Sequence, residues 1–325
     1  MQRRLLLQSA AGAAATLGAP RVFAQTWPHG PVRIIVGFPP GGGTDILART
    51  LAAKLQPMWG QQVLVENRAG VAGGLAAEYT AQQPSDGSTL LMAHINSHAL
   101  APALGLKTRY DVQRDFVPVV LVGVTPNLLI GGLMQPAKTL QDVVARCKAE
   151  PGKISFGSAG NGSAQHLALE MFKLRAKIDA LHIPYKGSAP VLTDLIGGQI
   201  HYTFETMTAA TPHVKSGKVV PIAQTRAKRA KGYPDVPTMH ELGYPGFEAT
   251  TWYGLVGPGK LPGVIARKIN ADVNAALAMP DVQERLDASG AEDGGGSPEK
   301  FADFIRAETA KWTKVVKDAG VKAES

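Results

Sequence analysis

Two stretches of this chain could hold an anion. Each joins an apolar run to a small-residue loop and then to a helical pattern. In the first, Val32–Val36 leads into Phe38-Pro39-Pro40-Gly41-Gly42-Gly43-Thr44, and a helix is expected from Asp45 to residue 56, where Pro57 should stop it. In the second, residues 154–156 lead into Gly157-Ser158-Ala159-Gly160-Asn161-Gly162-Ser163, with a helix from Ala164 to residue 174. Free N–H groups at a helix start, with the helix dipole behind them, favour a negative ligand. Glycines let the backbone approach it closely. Thr44 and Ser163 are candidate N-caps. Neither loop matches a P-loop or a dinucleotide fingerprint, so phosphate is a poor guess. Asp45 would repel a highly charged group, whereas a carboxylate, bridged by water near Asp45, fits better. In an open α/β sheet both loops fall at the carboxyl ends of strands, where clefts form.

Catalytic patterns are sparse. The chain has no G-x-S-x-G elbow and no H-E-x-x-H. His94 and His98 are four apart, as are His166 and Glu170, but that spacing alone is a weak metal signal. We expect no metal and no cofactor. Cys147 is the single cysteine. It excludes an internal disulfide, and the neighbouring Arg146 and Lys148 would lower its pKa, yet no base partner marks it as a nucleophile. The competing reading is a secreted hydrolase using Ser97 or Ser158 with a nearby histidine.

The elements that position these residues alternate strand and helix. Expected strands are 62–66, 89–93, 117–122, 127–130, 181–185, 200–204 and 219–225. Expected helices lie at 74–82, 140–150 and near 189–196. Two long amphipathic helices, 262–279 and 298–319, flank a short one at 280–288 and need a sheet face to cover. The fold class is therefore α/β, with the rhythm restarting midway in a second unit. A strand-like segment at 252–256 would return the chain to the first unit. Two crossings between units, near 117–130 and 247–256, would form a two-strand hinge.

Residues 1–24 read as a secretion signal: Arg3-Arg4, an Ala-rich apolar stretch, and Val22-Phe23-Ala24 before a cut at Gln25. The paired arginines suit a twin-arginine or an ordinary export route. Its removal takes away Arg3, Arg4 and Arg21 and no acid, lowering the net charge from +8 to +5. The dense basic run at Arg226, Lys228, Arg229 and Lys231 lacks interleaved aromatics and reads as a solvated face, so no nucleic-acid partner is expected.

The motifs VRIIVGFPPGGGTDILAR (32–49), VENRAGVAGG (65–74), DGSTLL (86–91), YDVQRDFVPV (110–119), ISFGSAGNGSAQHLALEMF (154–172), IPYKGSAPVLTDLIGGQI (183–200) and TWYGLVGP (251–258) occur in this order. Together they resemble the Bug family of periplasmic solute-binding proteins of tripartite tricarboxylate transporters. The resemblance implies a two-domain periplasmic-binding-protein-like clamp, with a mixed, mostly parallel sheet in each domain. Residues 25–126 plus 250–325 would form domain 1, and 127–249 domain 2. It implies ligand contacts at Phe38, Gly41, Gly42, Gly43, Thr44, Asp45, Ser97, His98, Ser158, Ala159, Gly160, Gly162, Ser163, Lys186, Gly187 and Glu205. Glu205 stands where relatives often carry Asp, which can face a ligand amine. The extra methylene would tighten the pocket, or the ligand lacks that amine. The implied partners are a small organic acid and integral membrane permease subunits, with the receptor a monomer in the periplasm. A signalling receptor is the remaining alternative.

Overall fold

A computed structural model describes residues 27–319. The secretion-signal reading lies outside them. The elements run β1 (Val32–Val36), α1 (Gly43–Trp59), β2 (Val63–Asn67), α2 (Gly74–Ala81), β3 (Thr89–His94), α3 (Ala101–Ala103), β4 (Phe116–Gly132), α4 (Leu140–Ala149), β5 (Ser155–Ser158), α5 (Ala164–Ala176), β6 (Leu181–Pro184), α6 (Ser188–Ile196), β7 (Tyr202–Thr206), α7 (Met207–Lys215), β8 (Val219–Gln224), β9 (Thr250–Pro258), α8 (Gly263–Leu277), α9 (Pro280–Ala288) and α10 (Pro298–Ala319).

The sheet order is β2-β1-β3-β9-β4-β7-β5-β6, with β8 also paired to β4. β4 is the shared element. Its first part, Phe116 to Pro126, pairs with β9, and its last part pairs with β7 and β8. The segments expected at 117–122 and 127–130 are thus one continuous strand passing from one lobe to the other. The pairings β1–β2, β1–β3, β5–β6 and β5–β7 are parallel. Those made by β4 and β9 are antiparallel. The sheet is therefore less parallel than expected, because the crossing strands run against their neighbours in both lobes.

Strand periodicity divides the core. Val32, Ile34 and Val36 of β1 pack with α1 and α8 side chains on one face. Ile35 points to the other face, with Trp252, Phe301, Ile305 and Trp312. In the second lobe, Leu129 joins the α4 and α5 side, while Leu128 and Ile130 join the α6 and α7 side. Alternation along a strand buried on both faces produces this division. Phe301, Ile305 and Trp312 recur on one side of α10, so that helix covers the first lobe's sheet.

Three local expectations are corrected. Pro57 sits inside α1, which continues to Trp59 and ends at Gly60 with φ 61°. A left-handed glycine is a stronger stop than a proline one turn from the end. α1 also begins two residues early, so Gly42 and not Thr44 is its N-cap. Helix α7 was missed, since Pro212 inside it masks the helical pattern.

Candidate ligand-binding site

The start of α1 forms one wall of the interlobe cleft. Gly42 caps it without a side-chain hydrogen bond, and Ile46 N–H is already bonded to the Gly42 carbonyl. Among the described residues no acceptor meets the N–H groups of Gly43, Thr44 and Asp45. Three orphan donors at a positive helix end form an anion cradle.

Asp45 braces this cradle. Its carboxylate accepts from Gly41 N–H at 3.0 Å, Arg49 Nε at 2.9 Å and Asn67 Nδ2 at 2.9 Å. Burial pushes its pKa up, but the Arg49, Gly41 and Asn67 hydrogen bonds outweigh burial and hold it below the usual carboxylate range. Asp45 is thus ionised, occupied by protein partners, and holds Gly41 in place.

The second loop differs from the first. Ser163 does cap α5, accepting from His166 N–H at 3.2 Å. Gly160 N–H is bonded to Ser158 Oγ, Gly162 N–H to His166 Nδ1, and Ala164 N–H to Asn96 Oδ1. The expected second nest has therefore spent two of these amides on its own scaffold and the third on Asn96 of the first lobe. Ser158 is fully buried and holds the loop from beneath.

The lobes are closed on each other. A Cβ built on Gly187, whose φ is 128°, would lie 2.7 Å from Pro39 Cδ, and one on Gly162 would lie 2.8 Å from Leu104 Cδ1. Two cavities remain, sharing Phe38. An inner one of about 10 Å³ is lined by Phe38, Gly42, Gly43, Thr44, His94, Gln165, Ser188, Thr206 and Tyr253. An outer one of about 360 Å³ is lined from the first lobe by Phe38, Val71 and Leu106, and from the second by Ala159, Gly160, Asn161, Tyr185 and Lys186. The inner space is about one water in size, whereas the outer is in the range of small-molecule sites. A separate groove of about 690 Å³ on the first lobe shares only Val71 and Leu106 with the cleft and touches neither glycine loop.

Glu205 sits one layer behind the inner cavity. Its Oε1 accepts from Ser188 Oγ at 2.6 Å, Thr206 N–H at 2.7 Å and Gln165 Nε2 at 3.3 Å, and its Oε2 has no partner. Burial raises its pKa against the pull of those hydrogen bonds. The Gln165 Oε1 and Tyr253 hydroxyl are likewise buried without a hydrogen-bond partner.

Of the expected contacts, Phe38, Gly42, Gly43, Thr44, Ala159, Gly160 and Lys186 meet in the cleft. Ser97 and His98 do not. Ser97 Oγ is engaged by His94 O at 3.2 Å and His98 Nδ1 at 2.9 Å. The His98 ring packs 4.8 Å from Phe116 and 6.3 Å from Tyr110, inside the first lobe. The cause is a π-helical turn at Asn96–Leu100, which rotates these side chains inward. His94 takes the cleft position instead, 4.8 Å from Phe38 and 5.2 Å from Tyr253. Sequence reading missed His94, Gln165, Ser188, Thr206 and Tyr253 as lining residues. Gln165 and Ser188 adjoin the glycine loops and could have been found. Thr206 and Tyr253 arrive on strands that only the topology brings together.

Two serines do contact histidines. Ser158 Oγ lies 2.6 Å from His182 Nε2. Burial, with lesser effects of His166 and Lys173, brings the His182 pKa down to about 3, far from a useful general base at neutral pH. No carboxylate hydrogen-bonds to His182 among the described residues. His98 beside Ser97 is also brought to about 3 by burial. Cys147 reverses the expectation from its basic neighbours: burial lifts its thiol to about 11. Among the described residues no group of three His, Cys, Asp or Glu could hold a metal, and no helix is long and apolar enough to cross a membrane.

Two α/β lobes sharing crossing strands and closing over a cleft define a two-domain periplasmic-binding-protein fold. The chain belongs to the tripartite tricarboxylate transporter family receptors, whose family model matches residues 47–321. Protein BugT of Bordetella pertussis is 39% identical over 312 residues, covering 95% of each chain. The solved structure of R. palustris Rpa4515 with adipate is 36% identical with a TM-score of 0.88, covering 91% of this chain and 99% of that one. MatC of Rhodopseudomonas palustris with bound malate is 32% identical with a TM-score of 0.83, covering 89% and 100%.

Proposed function

We propose that this protein is an extracytoplasmic receptor that captures a small carboxylated solute between lobes 25–126 plus 250–325 and 127–249, and carries it to the permease subunits of a tripartite transporter. The observation that carries this reading is the set of unpartnered amides of Gly43, Thr44 and Asp45 at the start of α1, of which Gly43 and Thr44 line the inner cavity. One carboxylate of the solute sits on that cradle. Phe38 covers the carbon skeleton, and Gly160 and Lys186 bound the far end in the outer cavity. Each charge-assisted hydrogen bond contributes roughly 1.5–3 kcal/mol, enough in combination for micromolar affinity after association costs. The adipate and malate of the two related structures support a carboxylate. The inner space is too small for a solute to enter with the lobes shut, so the lobes part to admit it and close around it.

The protein works as a periplasmic monomer after cleavage near Gln25. A binding role without chemistry on the solute accords with its place in a receptor family. Titration calorimetry with mono-, di- and tricarboxylates, adipate and malate included, tests the reading. Binding of at least one acid, lost in a folded Gly43→Val plus Ser158→Pro variant, is expected. No heat with any acid, or equal affinity in that variant, rejects it.

A further inference from the structure

Asn96 opens the π-helical turn that follows β3, and its side chain leaves the first lobe. Its Oδ1 accepts from the N–H of Ala164, the first residue of α5 in the second lobe, at 3.0 Å. Both residues are buried, Asn96 at 2% and Ala164 at 0% exposure. Ala164 and Leu167 also pack into a cluster otherwise built from first-lobe side chains.

From this juxtaposition we propose that Asn96 is the closing latch of the clamp. Asparagine is among the best acceptors for helix-start amides. Here it acts from another lobe, 68 residues away in sequence. With the lobes apart, Asn96 and the Ala164 amide both face water. With the lobes together, Asn96 Oδ1 and the Ala164 amide each replace that water with the other, while Asn96 Nδ2 is buried without a hydrogen-bond partner and sets a cost against the gain. The bond exists only in the closed form, so it biases the equilibrium towards closure. Asn96 is held ready for it. Its own N–H is bonded to His94 Nδ1 at 3.2 Å, and the next carbonyl, of Ser97, accepts from Tyr110 OH at 2.8 Å. The latch also takes the first α5 amide away from the solute, which leaves α1 as the helix start that receives the carboxylate.

This inference rests on the receptor reading above, and its test separates the two. Spin labels on Lys107→Cys and Leu174→Cys place one exposed probe on each lobe, while buried Cys147 stays unlabelled. Electron-resonance distances are recorded without ligand and with adipate or malate. Loss of one such bond in Asn96→Ala should lower the closed-to-open ratio about five-fold and weaken acid binding by a similar factor. Asn96→Asp, which keeps the acceptor oxygen, should restore the closed population; circular dichroism checks that both variants fold. An unchanged distance distribution in Asn96→Ala, or tighter acid binding because the amide is released, overturns the latch. A distance shift in Asn96→Ala with no acid bound by the wild type would instead keep the latch and reject the receptor reading.

Discussion

The backbone of Gly43 passes so close to Tyr253 that a methyl group on it would lie 2.6 Å from the phenolic oxygen. The same methyl would come within 3.1 Å of Thr206 Oγ1 and 3.2 Å of Thr208 Cβ in the second lobe. Gly43→Ala is therefore expected to destabilise the closed form by about 1–3 kcal/mol, the usual range for overpacking. Ala is an excellent residue for a first helical turn, so the secondary structure should survive. The expected outcome is a normal circular-dichroism spectrum with at least ten-fold weaker acid binding by calorimetry. Unaltered affinity would mean that the lobes do not meet at α1.

Asp45 organises the loop before α1. In Asp45→Ala, Gly41 and Asn67 lose a charged acceptor, and a cost of about 1–3 kcal/mol is expected from urea denaturation at pH 7. The sign of the pH effect follows from its lowered pKa. The carboxylate stabilises the fold above its unfolded pKa of 3.8, and that contribution is lost as pH falls through the lower native value. The difference between wild type and variant should narrow below pH 3.8.

His94 and His98 work at higher pH. Burial, with the His98 charge a lesser factor at His94, lowers both to about 3. Unfolded chains take up these protons from pH 6.5 downwards while the native protein does not. Stability should therefore be complete above pH 6.5 and fall towards pH 3, by at most about 1.4 kcal/mol per pH unit for each histidine. Denaturation midpoints at pH 7.5, 5.5 and 4.5 measure the slope. A flat profile would show that the two rings are not held neutral.

Ser158 separates receptor from hydrolase. Ser158→Ala removes the Oγ contacts to Gly160 and His182. We expect no ester turnover in either protein and a several-fold loss of acid affinity, because the loop loosens. Turnover by the wild type that disappears in the variant would reverse the functional conclusion.

Phe301 anchors α10 against Trp252, at 5.7 Å between ring centroids and 85° between planes. Phe301→Ala should cost about 3–5 kcal/mol, read as a lowered denaturation midpoint. A smaller cost would indicate that Phe304, equally distant from Trp252, refills the space.

Much of this molecule is written locally. The alternating runs, the two glycine loops and the amphipathic face of α10 mark the α/β class, and Ser163 announces the start of α5. These features depend on residues within a turn or two of each other, so periodicity and capping rules reach them. Pro57 misled because Gly60, three residues later, is the real stop.

The tertiary structure alone decided which helix start can receive a ligand. By sequence the α1 and α5 loops are equivalent, since both place small residues before a helix. In the fold, Asn96 comes from the end of another strand to occupy the Ala164 amide, while Gly43 and Thr44 keep theirs. It also decided that His94 faces the cleft and His98 the core, through a π-helical turn with no sequence signature. Such outcomes depend on hydrogen-bond partners far apart in the chain. Local spacing sets where a donor stands, but only packing of the lobes sets what meets it.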